Sequence, residues 1–220
     1  MVRGDAGQAF PLYITAVAAL LFLALALFAV GRAGATKNGA QTAADAAALA
    51  AAQDYRDQLR TGFLTAVGAG GDAWTAWLAG RGAQDDRACA AAASYAGRND
   101  AAPGVACGPG DEPGSFTVTV TSRRTVGESV VPGTESRHAT ATAKAVVEPR
   151  CAPRPGPMPG PTSSPTASPG PTSSPSAGPS ATPGPVLLCD GKVLVIRPGG
   201  VGGADAAVKA TDLFTVHLAD

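Results

Sequence analysis

Residues 10–30, FPLYITAVAALLFLALALFAV, form the longest apolar run in the chain, 21 positions without a charge. At 1.5 Å per residue a helix of that length spans about 31 Å, the thickness of one bilayer core. The run has no polar face, which the buried helix of a soluble protein would show. A cleaved secretory signal predicts a basic head and an apolar core of only about 7–15 residues. Ala33-Gly34-Ala35 would suit its cut site, but the run is too long and residues 1–9 hold a single Arg. The pattern therefore predicts a retained transmembrane helix over 10–30, behind a short head at 1–9.

The helical pattern continues past the apolar run. Residues 31–67 lack proline and are rich in alanine, the strongest helix former. Gly31, Ala35, Gly39, Ala43, Ala47 and Ala51 recur at i, i+4 and form a ridge of small residues on one face. Lys37, Gln41 and Asp45 make a polar row beside it, and Tyr55, Leu59 and Phe63 an apolar row further on. Two readings of the ridge stand. It covers this chain's own domain, or it admits a second helix at close range, as small-xxx-small faces do in membranes. Gly31, Gly34 and Gly39 are the expected bends.

Glycines 68 and 70–71 end this helix, and Asp72 is positioned as N-cap of a short helix closed by Gly80. Residues 84–96 predict another helix, with Cys89 at its middle. The period then changes to two. Phe116, Val118 and Val120 share one face of a strand, and Ala139, Ala141, Ala143, Ala145 and Val147 one face of another. Residues 152–185 contain 12 of the 19 prolines and repeat GPTSSP, so they predict a disordered, extended Pro/Ser/Thr-rich insertion. Beyond it, Asp190-Gly191 predicts a tight hairpin between two apolar strands, and residues 212–218 alternate again. These C-terminal strands, within 186–220, are expected to complete the sheet begun at Phe116. The expected fold is a membrane-anchored α+β protein: a long N-terminal helix continuing outside the membrane, short helices, a small antiparallel sheet and the insertion, with residues 68–151 as the extracytoplasmic domain.

Composition adds three constraints. Seventeen basic and seventeen acidic residues cancel, which gives no signal for capture of nucleic acid or of an anionic membrane surface. Cys89, Cys107, Cys151 and Cys189 contain no C-x-x-C pair, so they read as two disulfides in an oxidising compartment. Neighbour pairing, Cys89 with Cys107 and Cys151 with Cys189, is preferred among three connectivities, and the second bridge would close the insertion into a loop. Arg3 lies on one side of the apolar run and Arg32 and Lys37 on the other, so the positive-inside rule barely decides orientation. The cysteines and the insertion place the C-terminal part outside and the N-terminus in the cytoplasm.

Candidate chemistry is sparse. His138 and His217 fall on polar strand faces without a serine elbow or paired carboxylates. Residues 199–203, GGVGG, lack the Lys-Ser/Thr of a phosphate-binding loop. Trp74 and Trp77 read as a helix–core contact rather than a sugar platform. The sequence predicts no enzyme, no cofactor and no metal site.

Asp5-Ala6-Gly7-Gln8-Ala9-Phe10-Pro11-Leu12-Tyr13-Ile14 before the helix, and the run AADAAALAAA at 43–52 within it, resemble the TadE/TadG-like proteins of tight-adherence (Flp) pilus assembly, in the form found in high-GC Gram-positive bacteria. The resemblance covers about the first 60 residues. It implies a single-pass, pilin-like component of a pilus or related secretion apparatus, with the bilayer and other pilus-assembly proteins as partners. A prepilin cut after Gly7 would expect Glu where this chain has Leu12, so processing is not implied. The D-x-S-x-S signature of a von Willebrand-type metal site is absent, and no metal site is carried over. The alternative function is an anchored surface module that contacts the cell wall or an extracellular ligand.

Overall fold

A computed structural model describes residues 9–125, 127, 133, 135–154, 184–196 and 208–219. The head at 1–8 and most of the Pro/Ser/Thr tract, residues 155–183, lie outside them, as does the GGVGG run.

One helix dominates. α1 (Ala9–Ala69) runs for 61 residues, about 90 Å, and stays helical through Gly31, Gly34 and Gly39. The glycines expected to bend it do not interrupt it. It stops where Gly70 takes a φ of +81° and its N–H bonds to Val67 O, a left-handed turn that suits glycine. α2 (Trp74–Leu78) and α3 (Asp85–Arg98) follow. Asp72 does not cap α2 with its side chain. The chain is already helical at Ala73, and Asp72 instead offers its backbone carbonyl to the N–H and hydroxyl of Thr75.

Four strands form the main antiparallel sheet. In order across it they are β1 (Ala106–Pro109), β2 (Ser115–Thr125), β3 (His138–Pro149) and, numbered last in the chain, β7 (Phe214–Ala219). The alternation puts Phe116, Val118, Val120, Ala141, Ala145 and Val147 on the buried face. Between Thr121 and Thr125 the β2–β3 register slips, and buried Ser122 fills the gap. Its hydroxyl donates to Arg124 O and accepts from Ala139 N–H.

Only part of the C-terminal region completes this sheet. β7 pairs with β3, but β4 (Cys151–Pro153), β5 (Val186–Cys189) and β6 (Lys192–Val195) form a separate three-stranded sheet. Cys151 opposes Cys189 in register, so β5 pairs where the disulfide holds it and carries β6 along. A one-turn helix, α4 (Ala210–Leu213), leads into β7.

The outer part of α1 lies between α3 and the main sheet. From Ala40 to Val67 its buried residues include Ala44, Ala48 and Ala52 as well as Ala43, Ala47 and Ala51, all at 0–1 % exposure. Alanine on both flanks lets α3, through Ala88, Ala92 and Ala96, and the sheet both come close. α3 runs back along α1. Its start is fixed by Gln84 N–H to Gln58 Oε1 at 2.9 Å and by Arg87 on Asp54, while its end reaches the level of residues 39–42. Larger side chains fill the core where the layers diverge: Leu59, Phe63, Phe116, Leu213 and Phe214 are fully buried. Tyr55 meets Phe116 edge-on at 5.2 Å, and Phe63 meets Trp74 at 6.1 Å.

Two disulfides, Cys89–Cys107 and Cys151–Cys189, join α3 to β1 and β4 to β5. Spanning 18 and 38 residues, they stabilise by about 3 and 4 kcal/mol on the loop-entropy account. The second holds the ends of the Pro/Ser/Thr tract together, with Cα atoms 4.0 Å apart and Arg154 N–H bonded to Val186 O. The tract leaves the domain and returns at one place.

Candidate functional site

No residue of α1 from 10 to 39 is buried. Every residue from Phe10 to Leu25 is exposed, including Phe10 at 71 %, Phe22 at 70 % and Leu12 at 74 %, and the most apolar 18-residue window of the helix, of mean hydropathy 2.6, has none of its residues buried. A soluble monomer rarely exposes a contiguous apolar patch above a few hundred Å². Among the described residues α1 is the helix long and apolar enough to cross a membrane.

The ridge of small residues is split by the fold. Ala43, Ala47 and Ala51 are buried in the domain's own core at 0–1 % exposure. Gly31, Ala35 and Gly39 are exposed, and a Cβ added at either glycine would meet nothing within 4 Å. The polar row beside the ridge has a structural task. Among the described residues β7 covers β3 as far as Lys144, and beyond it Lys37 Nζ donates to Thr140 O at 2.6 Å while Gln41 Nε2 bonds to Asp45 Oδ1 at 2.8 Å and reaches Thr142 O at 3.5 Å. These side chains substitute for a strand at that stretch of edge and fix how the domain sits on the helix.

Where α1 enters the domain, Ala35, Gly39 and Ala40 form one wall of an open cleft of about 490 Å³. The opposite wall holds Arg98 and Asn99 at the end of α3 and Ser122 and Arg124 at the end of β2. Sequence reading could not find this cleft, because three distant segments build it.

The histidines are not gathered into a site. His138 Nδ1 lies 2.7 Å from Ser122 O; a carbonyl only accepts, so that nitrogen carries the proton. His217 lies exposed on β7. Among the described residues no group of three or more His, Cys, Asp or Glu is placed to hold a metal. Trp77 packs against Gly62 of α1 and Gly82, and both tryptophans join the core margin. Burial raises the Tyr55 phenol above its usual range, with the Asp85 charge adding to the effect, while its hydroxyl donates to Gly80 O at 3.0 Å.

These features define a class: a domain built on the outer half of one helix whose other half is apolar, exposed and long enough to span a bilayer. Residues 7–54 match the Tad family model, Flp pilus-assembly TadE/G-like, which is the family the sequence resembles. The match covers the apolar half of α1 and the alanine run that enters the domain, and it supports a role related to Flp pilus assembly. No curated protein and no solved structure matches the chain.

Proposed function

We propose that the protein is a membrane-anchored, pilin-like component of a tight-adherence (Flp) pilus or related secretion apparatus. Residues 10–30 span the bilayer with the N-terminus in the cytoplasm and the domain outside. Gly31, Ala35 and Gly39 pack against the helices of other pilus proteins. The observation that carries this reading is the overlap of the family match at 7–54 with the stretch of α1 left uncovered by its own domain. The disulfides support the outward placement, because such bridges persist in oxidising compartments. The closed ends of the 152–185 tract support its role as an outgrowth of one domain rather than a tether between two; at 3.1 Å per residue its reach is then halved to about 50 Å.

The partner face is tested by replacing Gly31 and Gly39 with Leu, which the open space at both positions accommodates. The G31L/G39L variant inserts and folds as the parent does, and its recovery with pilus proteins from detergent-solubilised membranes falls at least about tenfold, a loss of ~1.4 kcal/mol in packing. Undiminished recovery from an inserted variant would sink the reading.

A further inference from the structure

We infer that the base of the domain is built to rest on an anionic lipid surface, with phospholipid headgroups received by a collar of cations that the fold assembles around α1; this rests on the reading of residues 10–30 as a membrane span. Six cations gather there from four separate segments. Arg32 and Lys37 come from α1, Arg98 from the end of α3, Arg123 and Arg124 from the end of β2, and Arg137 from the residue before β3. Several observations put them at one level. Lys37 bonds to Thr140 O, the Arg32 guanidinium lies against Gly127, and Arg98 and Arg124 line the cleft beside Ala35 and Gly39. His138, next to Arg137, bonds to Ser122 O in the same stretch.

The helix sets the height of this collar. Arg32 lies two residues past Val30 and Lys37 seven, rises of about 3 and 10 Å, whereas the headgroup layer extends about 5–8 Å beyond the hydrocarbon core. Long Arg and Lys side chains that start at or just above that layer reach into it. The charge is segregated accordingly. At the base six cations face two described carboxylates, Asp100 and Glu135, with Glu128 the only other acid in that part of the sequence. The remaining described domain carries nine cations (Arg56, Arg60, Arg81, Arg87, Lys144, Arg150, Arg154, Lys192 and Lys209) against eleven carboxylates. Its ion pairs also lie away from the base: Arg56–Asp57, Arg87–Asp54, Lys144–Glu112 and Arg150–Asp190. A neutral chain thus presents a basic face to the bilayer, and anionic headgroups are the partner that this face fits. The basic face takes headgroup phosphates, while the small-residue stretch takes a helix, so the two functions separate by substitution.

The full chain in nanodiscs of mixed phosphatidylcholine and phosphatidylglycerol tests this, with bound lipids read by native mass spectrometry. The wild type retains phosphatidylglycerol in preference to phosphatidylcholine, and the preference declines as salt is raised. Each cation at such a surface contributes about fivefold, so R98Q/R124Q/R137Q lowers the preference at least about tenfold. R81Q/R154Q/K192Q, which removes the same charge elsewhere, leaves it unchanged. Equal preference in the wild type and the basal variant overturns the inference, and so does an equal loss in the distal variant. Loss of preference on adding millimolar inorganic phosphate at fixed ionic strength identifies a free-anion site and also overturns it. If the basal variant loses its disulfides or its cooperative unfolding, the wild-type salt titration decides: a salt-independent preference defeats the collar. A chain that fails to co-elute with nanodiscs at all defeats the membrane-span reading itself, an outcome visible before any lipid is counted.

Discussion

Two residues show what alanine-rich packing demands of its neighbours. Gly62 sits in the interior of α1, where alanine would normally be favoured by about 1 kcal/mol. A Cβ there would collide with the six-membered ring of Trp77, which is backed on its other side by Gly82. Gly62→Ala is therefore expected to destabilise the domain by about 1–3 kcal/mol despite its better helix propensity. Urea unfolding of the full chain in detergent, followed by tryptophan fluorescence, reads the sign directly. Tyr55 supplies a pH signature. The fold holds its phenol neutral by burial, with Asp85 adding to the rise, so its contribution is complete below the unfolded value of about 10 and is lost as pH climbs through the higher folded value. Wild-type stability should fall across that alkaline window. Tyr55→Phe should flatten this component while lowering stability at pH 8 by about 1 kcal/mol through the lost bond to Gly80 O. An unaltered alkaline slope in the variant would place the titration elsewhere.

α1 is one helix with two environments, and its sequence period does not announce the change. The i, i+4 spacing from Gly31 to Ala51 was legible, and so was the polar row at Lys37, Gln41 and Asp45. What covers the ridge was not, because a small residue suits contact with its own sheet as well as contact with a foreign helix. Substitution separates the two halves. Ala47→Leu forces three extra heavy atoms into a site with no exposed surface and is expected to cost about 1–3 kcal/mol, whereas Gly39→Leu meets open space and should cost far less. Thermal unfolding of both variants checks the contrast; equal losses would mean that the ridge is buried along its whole length. The strands illustrate the same boundary between local and tertiary information. Alternation at Phe116–Val120 and Ala139–Val147 placed two strands with their buried faces correct. The Asp190-Gly191 turn identified a hairpin, with Asp190 at φ +45° and Gly191 at φ +78°. Sheet membership was not legible. Turn chemistry fixes which strands are neighbours in a hairpin, but the Cys151–Cys189 register decides which sheet the hairpin joins.

At the scale of the whole molecule, the largest difference between sequence and structure is electrostatic. Seventeen charges of each sign cancel along the chain, yet folding gathers six cations at the end of the domain next to the apolar half of α1. Composition cannot carry that information, since Arg98, Arg124 and Arg137 become neighbours only when α3 and the β2–β3 pair pack along the helix. The central claim, that residues 31–39 of α1 face partner helices while the domain occupies the helix above them, is tested most directly by site-specific photo-crosslinking in cells that assemble the pilus. A photo-reactive residue at Ala35 should give a discrete crosslink to a pilin-like membrane protein, and one at Thr65, also exposed but near the far end of α1, should give none. No crosslink at Ala35, or the same adduct from both positions, would contradict the account.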